Sequence, residues 1–151
     1  KLLNKKIKNL FILLLGPSRG YVVNKLKENK INFLHYQLNE SDYLNIESYY
    51  NCLDAYLITS RQEGGPKSLL ESMACKIPVV STNVGQAQDL LINNENGFKV
   101  DSFEAEEIAD KVFYLYNNQN NVEIIKENGR HTAETNDYTK QLNLWADFFH
   151  F

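Results

Sequence analysis

The stretch from Ala55 to Thr82 restricts the fold more than any other part of the chain. A short apolar run, Ala55 to Thr59, leads into Ser60-Arg61-Gln62-Glu63-Gly64-Gly65-Pro66-Lys67. The apolar segment Leu69 to Ala74 follows, and a second run, Ile77 to Thr82, leaves it. Strand-length runs on either side of a Gly-Gly-Pro turn and one helical stretch read as strand, tight turn, helix, strand. A helix between two strands carries the chain back along the sheet, so the strands lie parallel. Glu63 and Glu71 flank the turn, which puts two carboxylates at the crossover.

The same alternation extends along the chain. Leu10 to Leu15 is a continuous apolar run, as in a strand covered on both faces, and Gly16 to Gly20 is the turn after it. Tyr21 to about Lys30 predicts a short amphipathic helix, and Ile31 to Tyr36 a second strand. Helical spacing of Tyr43, Leu44, Ile46, Tyr49, Tyr50 and Leu53 predicts a helix over 41–53, capped by Ser41 or Asp42. Further helices are expected over 66–75, 86–92, 103–117, 122–135 and 138–150, with strands over 79–82 and 98–100. Asn117 to Asn121 reads as a polar link. The resulting expectation is one Rossmann-like α/β domain over residues 1–151, a parallel sheet with helices on both faces. In such sheets ligands bind beyond the carboxyl ends of the strands, where the turns after Leu15, Thr59 and Thr82 would lie.

Composition removes several function classes. A chain of 151 residues suits one domain, and 43% hydrophobic residues suit a folded one. Net charge is −3 with both signs interspersed and no basic stripe, which argues against a nucleic-acid partner. No apolar run approaches the roughly 20 residues of a membrane helix. Cys52 and Cys75 lack metal or redox spacing and read as thiols in or near a core. His35, His131 and His150 form no cluster with acidic or cysteine residues, so no metal is expected. The chain opens without Met and in mid-pattern, which suggests a piece of a longer protein.

The crossover itself has a chemistry. Glycines permit positive φ and let a ligand approach the main chain. Pro66 suits the first helical position and leaves the N–H groups of Lys67, Ser68 and Leu69 pointing at the crevice. With the positive end of the helix dipole they form a site for phosphate. Glu71, a turn further in, suits a pair of hydroxyls such as those of a ribose, because an ionised carboxylate only accepts hydrogen bonds. Glu63 can accept from sugar hydroxyls or stabilise developing positive charge. For Gly-Gly-Pro alone, a tight structural turn with both glutamates solvated is the better reading.

The combination of two glutamates in E-x7-E spacing, Gly-Gly-Pro, Glu71-Ser72-Met73-Ala74 and Pro78-Val79-Val80-Ser81-Thr82 resembles the retaining glycosyltransferases of group 1, also called family 4. The resemblance is densest between Ser60 and Thr82. It implies the C-terminal, donor-binding half of a GT-B fold and a nucleotide diphosphate sugar as substrate, with no cofactor and no metal. By resemblance Glu63 is the catalytic glutamate near the transferred sugar. Gly64, Gly65 and Pro66 place amides against the sugar, with Lys67, Ser68 and Leu69 nearest the diphosphate. Glu71 bonds the ribose and Gly16 lines the nucleotide side; Asp89 stands where the family often has an acidic residue. The family's diphosphate-binding Arg and Lys precede the strand matching Leu10 to Leu15, and the acceptor domain precedes them. The fragment alone is therefore expected to be inactive, its partners being the donor and that N-terminal domain. His35 departs from the Gly common in the family. A cytoplasmic location, with peripheral association at the inner face of a membrane, completes the expectation.

Two other readings stay open at this level: a non-catalytic α/β binding or scaffolding domain, and an epimerase sharing only the architecture. Arg61 suits a phosphate or a surface ion pair equally. Trp145, Phe148, Phe149 and Phe151 read first as a helix packing on the core or on a further domain, and second as a partner or membrane patch.

Overall fold

The computed structural model describes residues 1–17, 19–65, 67–101 and 103–149, and of Asn143 and Leu144 the backbone alone. Among the described residues five strands form two parallel sheets. Strands β1 (Phe11–Leu15) and β2 (Asn32–Tyr36) pair with Phe11 opposite Asn32. Strands β3 (Tyr56–Ile58), β4 (Val79–Thr82) and β5 (Phe98–Val100) form the second sheet with β4 central, Tyr56 opposite Val79 and Val80 opposite Phe98.

Every residue of β4 is buried, which is why its sequence is an unbroken run and not an alternation. Successive residues point to opposite faces, and Val79 and Val80 belong to different clusters. Val79 packs with Ile58, Leu69, Met73, Val84, Ala87, Leu91 and Ala133. Val80 packs with Phe98, Leu115, Val122 and Ile125. Helix α5 (Lys67–Ala74) thus covers one face and α7 (Ala105–Asn117) the other, while α8 (Gln119–Thr135) reaches both. Gly129 lets α8 lie close: a Cβ there would meet Asn96 O at 3.4 Å and Met73 Cγ at 3.6 Å. The parallel α/β architecture with helices on both faces agrees with the sequence reading.

Details differ. The expected single sheet is two sheets, because β1 and β3 share no hydrogen-bonded pairing. A cavity of about 520 Å³, lined by Leu10 and Ile12 beside β3's last neighbour Thr59 and by Leu26 and Ile108, opens between them. The helix expected over 41–53 is two short ones, α3 (Glu40–Tyr43) and α4 (Ile46–Tyr50). Its cap is Asn39, whose side chain accepts from Ser41 N and Asp42 N while Asp42 accepts from Asn39 N at 2.7 Å. That capping box fixes the first turn, and Asn45 at φ −130 ends the run before a second can form. The polar link after α7 shrinks to Asn118, shared by α7 and α8. Helix α1 (Leu2–Lys6), absent from the sequence reading, rests on α7 through Lys6 Nζ to Asp110 at 2.9 Å. Cys52 is exposed and Cys75 half-buried, so only Cys75 lies near the core.

Candidate functional site

The carboxyl ends of β3 and β4 are tied side by side. Thr82 Oγ1 donates to Ser60 O at 2.7 Å, and Ser60 Oγ donates to Glu63 Oε1 at 2.7 Å. The chain from the buried end of β4 therefore holds the exposed loop that carries Glu63. Gly85, at φ +49, presses on the same loop: a Cβ would lie 2.6 Å from Gly64 O and 2.8 Å from Glu63 O.

The glycines of the turn serve approach and not torsion. The expectation of positive φ fails for Gly64 and Gly65; Gly16 and Gly85 are the glycines that adopt it among the described residues. Around Gly64 a Cβ would meet nothing within 4 Å, and at Gly65 it would meet the Gln86 side chain at 3.2 Å. The main chain is thus bare at Gly64, while the Gln86 side chain lies against Gly65. Pro66 lies outside the described residues. Lys67, Ser68 and Leu69 open α5, where N–H groups have no carbonyl four residues back to bond. Lys67 is exposed, Ser68 half-buried, and the Leu69 side chain fully buried in the core, leaving Leu69 only its main chain to offer.

Glu71 stands one turn further along α5. Tyr50 donates its hydroxyl to Glu71 Oε2 at 2.8 Å. Burial first, and the Glu71 bond second, push the Tyr50 hydroxyl far above the ordinary phenol range. On its open side Glu71 lines a cavity of about 310 Å³ with Leu70, Arg130 and Tyr138. Arg130 is engaged with Glu134 at 2.7 Å and with the Ala74 carbonyl.

The structure thus gathers Glu63, Gly64, Gly65, Lys67, Ser68, Leu69 and Glu71 on one crossover. Gly16 sits on the other sheet, buried at φ +90, its N–H donating to Tyr36 O at 3.0 Å. His35 Nε2 lies 2.9 Å from Gly16 O, so the His35 side chain holds this turn. Among the described residues no hydrogen bond joins Gly16 to the Ser60–Leu69 segment. Asp89 is exposed on α6 (Ala87–Leu90). Arg61 stacks its guanidinium over the Phe103 ring at 5.7 Å.

Sequence reasoning missed Tyr50, Ser60, Gly85 and Gln86. Gly85 alone carried a signal, a glycine in the loop directly after a buried strand. Of the two packing partners expected for the aromatic terminus, only the core of this domain is set aside. Trp145 and Phe148 on α9 (Tyr138–Phe149) are 54% and 73% exposed, and Trp145 stacks on Phe149 and not on the core. Phe151 and His150 lie outside the described residues. Among the described residues no group of His, Cys, Asp or Glu could hold a metal ion, and no helix is long and apolar enough to cross a membrane.

The carboxylate-bearing turn thus lies at the strand ends of a parallel α/β domain, the edge at which open α/β sheets bind ligands. The family model "Glycosyl transferases group 1" matches residues 1–132. The chain belongs to that family. It is 30% identical over 145 residues to the capsular polysaccharide biosynthesis glycosyltransferase CapM of Staphylococcus aureus, covering 86% of this chain and 37% of CapM. Among solved structures, a mutant of S. aureus TarM in complex with fondaparinux, alpha-GlcNAc-glycerol and UDP superposes with a TM-score of 0.85 at 21% identity, over 99% of this chain and 31% of TarM. Anabaena HepE in complex with UDP gives a TM-score of 0.75 at 21% identity, over 92% of this chain and 40% of HepE. These likenesses show a shared fold, that of GT-B glycosyltransferases. The chain spans between 31% and 40% of the length of these three proteins.

Proposed function

We propose that this chain is the donor-binding domain of a retaining glycosyltransferase that takes a sugar from a nucleotide diphosphate sugar. The observation that carries the reading is the crossover itself. One short segment presents a bare main chain, a helix N-terminus and two carboxylates, each fixed by a hydroxyl donor.

In this reading the diphosphate rests on the N-terminal amides of α5 and beside Lys67, where the helix dipole favours negative charge. As the bond from the sugar to the diphosphate lengthens, negative charge grows on the leaving phosphate and positive charge on the sugar ring. Preorganised N–H donors stabilise the first. Glu63, held by Ser60, faces the second from the loop. Glu71 accepts the ribose hydroxyls. Gly64 and Gly65 admit the sugar to the main chain, and Gly16 borders the nucleotide from the β1 side. A retained anomeric configuration and an acceptor held by a further domain of the same protein belong to the proposal, as do a cytoplasmic site of action and contact with a membrane surface.

UDP, present in the TarM and HepE structures, is the first ligand to test. Titration followed by calorimetry or NMR should show saturable binding with shifts centred on Gly64 to Ser72. Absence of binding by UDP, GDP and ADP at millimolar levels to the full-length protein would sink the reading. Binding without hydrolysis or transfer would favour a non-catalytic binding domain.

A further inference from the structure

Tyr50 looks like an ordinary core residue in the sequence, one of several aromatics at helical spacing on 43–53. It is 7% exposed, and its ring meets Tyr56 edge-on at 5.5 Å. Its hydroxyl is nevertheless committed to a functional carboxylate, Glu71 Oε2, at 2.8 Å. The two residues come from different helices, α4 and α5, so this bond depends on how those helices pack. Among the described residues no Lys or Arg forms an ion pair with Glu71, and Arg130 in the same cavity is engaged with Glu134. Tyr50 is therefore the group that sets where the carboxylate points.

A glutamate on a helix surface samples several rotamers, and holding one of them costs entropy at the moment of binding. A buried phenol anchored by its own packing removes that cost beforehand. The bond occupies one lone-pair direction of Oε2 and leaves Oε1 and the rest of Oε2 to accept from a diol.

We propose that Tyr50 is a positioning residue for nucleotide recognition, locking the Glu71 carboxylate in the orientation that accepts the two ribose hydroxyls. This rests on the reading of Glu71 as the ribose acceptor. The phenol does not touch the ligand and acts through Glu71.

The test is a cycle between protein and ligand. UDP and its dideoxyribose analogue, which lacks both hydroxyls, are titrated against the wild type, Tyr50→Phe and Glu71→Ala, with the full-length protein. Tyr50→Phe keeps the ring and its packing. Expected is a loss of about tenfold in UDP affinity for Tyr50→Phe, the scale of one hydrogen bond to a charged group. The analogue should bind the wild type and Tyr50→Phe alike. An equal loss for both ligands would mean a merely structural role and overturn the proposal. So would unchanged UDP affinity in Tyr50→Phe while Glu71→Ala weakens it. Unchanged UDP affinity in Glu71→Ala would instead remove the ribose reading itself. Should Tyr50→Phe fail to fold, the Tyr50 hydroxyl proton of the wild type provides the second measurement. It should shift on binding UDP and stay put with the analogue, and equal shifts would overturn the assignment.

Discussion

Gly85 and Gly64 are so closely apposed that a single methyl group cannot stand between them: a Cβ on Gly85 would lie 2.6 Å from the Gly64 carbonyl oxygen. Gly85 also has φ +49, a left-handed conformation that disfavours any residue with a Cβ. The loop after β4 thereby serves as a backstop for the turn that carries Glu63. Gly85→Ala should cost about 1–3 kcal/mol of stability from strain and push the turn outward. Urea unfolding measures the first, and UDP titration the second as a clear loss of affinity. A variant that matches the wild type in both would show that the turn relaxes freely.

Glu63 should separate from Glu71 in kinetics. Glu63→Gln keeps the hydrogen bond from Ser60 in shape but removes the charge that the proposed mechanism sets against the sugar. On the proposed function, transfer by the full-length protein should fall by about 100-fold, the scale of losing one electrostatic stabiliser, with UDP affinity nearly unchanged. Ser60→Ala should give a smaller loss of the same kind. A large drop in UDP affinity for Glu63→Gln would place this carboxylate on the nucleotide.

Asn96 is the structural hub behind the site. Though buried, it accepts from Ile92 N at 2.8 Å and donates to Leu90 O at 2.8 Å and Thr132 Oγ1 at 2.9 Å. It joins the α6 loop to α8. Asn96→Ala leaves buried groups without partners and should cost about 2–3 kcal/mol in denaturant unfolding. Its neighbour Gly97 has no room for a side chain, since a Cβ would meet Leu91 Cδ2 at 2.5 Å and Val79 O at 3.1 Å. Gly97→Ala should therefore destabilise as well.

Alkaline pH should reveal Tyr50. Its folded-state pKa is raised, chiefly by burial and then by Glu71, so folding favours the protonated phenol. That contribution is complete below the unfolded tyrosine value of about 10 and is lost as pH rises from there towards the folded value. Tyr49 is raised too, through its bond to Asp42 at 2.9 Å, and adds to the same trend. The midpoint of thermal unfolding should fall above pH 10 and fall less steeply in Tyr50→Phe. Equal slopes would mean that Tyr50 ionises freely in the folded state.

Much of the fold is written in local pattern. Val79 to Thr82 reads as a buried parallel strand because both its faces are covered, and Leu69 and Met73 read as core because they share one helical face. The helix over 41–53 misled because apolar spacing continues through Asn45, while Asn39 caps the start of one short helix and Asn45 the start of the next. Tyr50 and Ser60 were invisible as site residues, since a tyrosine at core spacing and a serine after a strand have many ordinary uses. The division of the strands into two sheets has no local signature either, because pairing between β1 and β3 depends on what lies between them.

The sequence by itself determined the α/β class, the order of the five strands, and the crossover bearing Glu63 and Glu71. Those rest on hydrophobic period and turn chemistry, which act over a few neighbouring residues. Only the tertiary structure decided that Gly85 backs Gly64, that Thr82 and Ser60 tie two strand ends together, and that Tyr50 holds Glu71. Each of these joins segments brought together by packing of the sheet and its helices, and no local preference in either segment specifies the other.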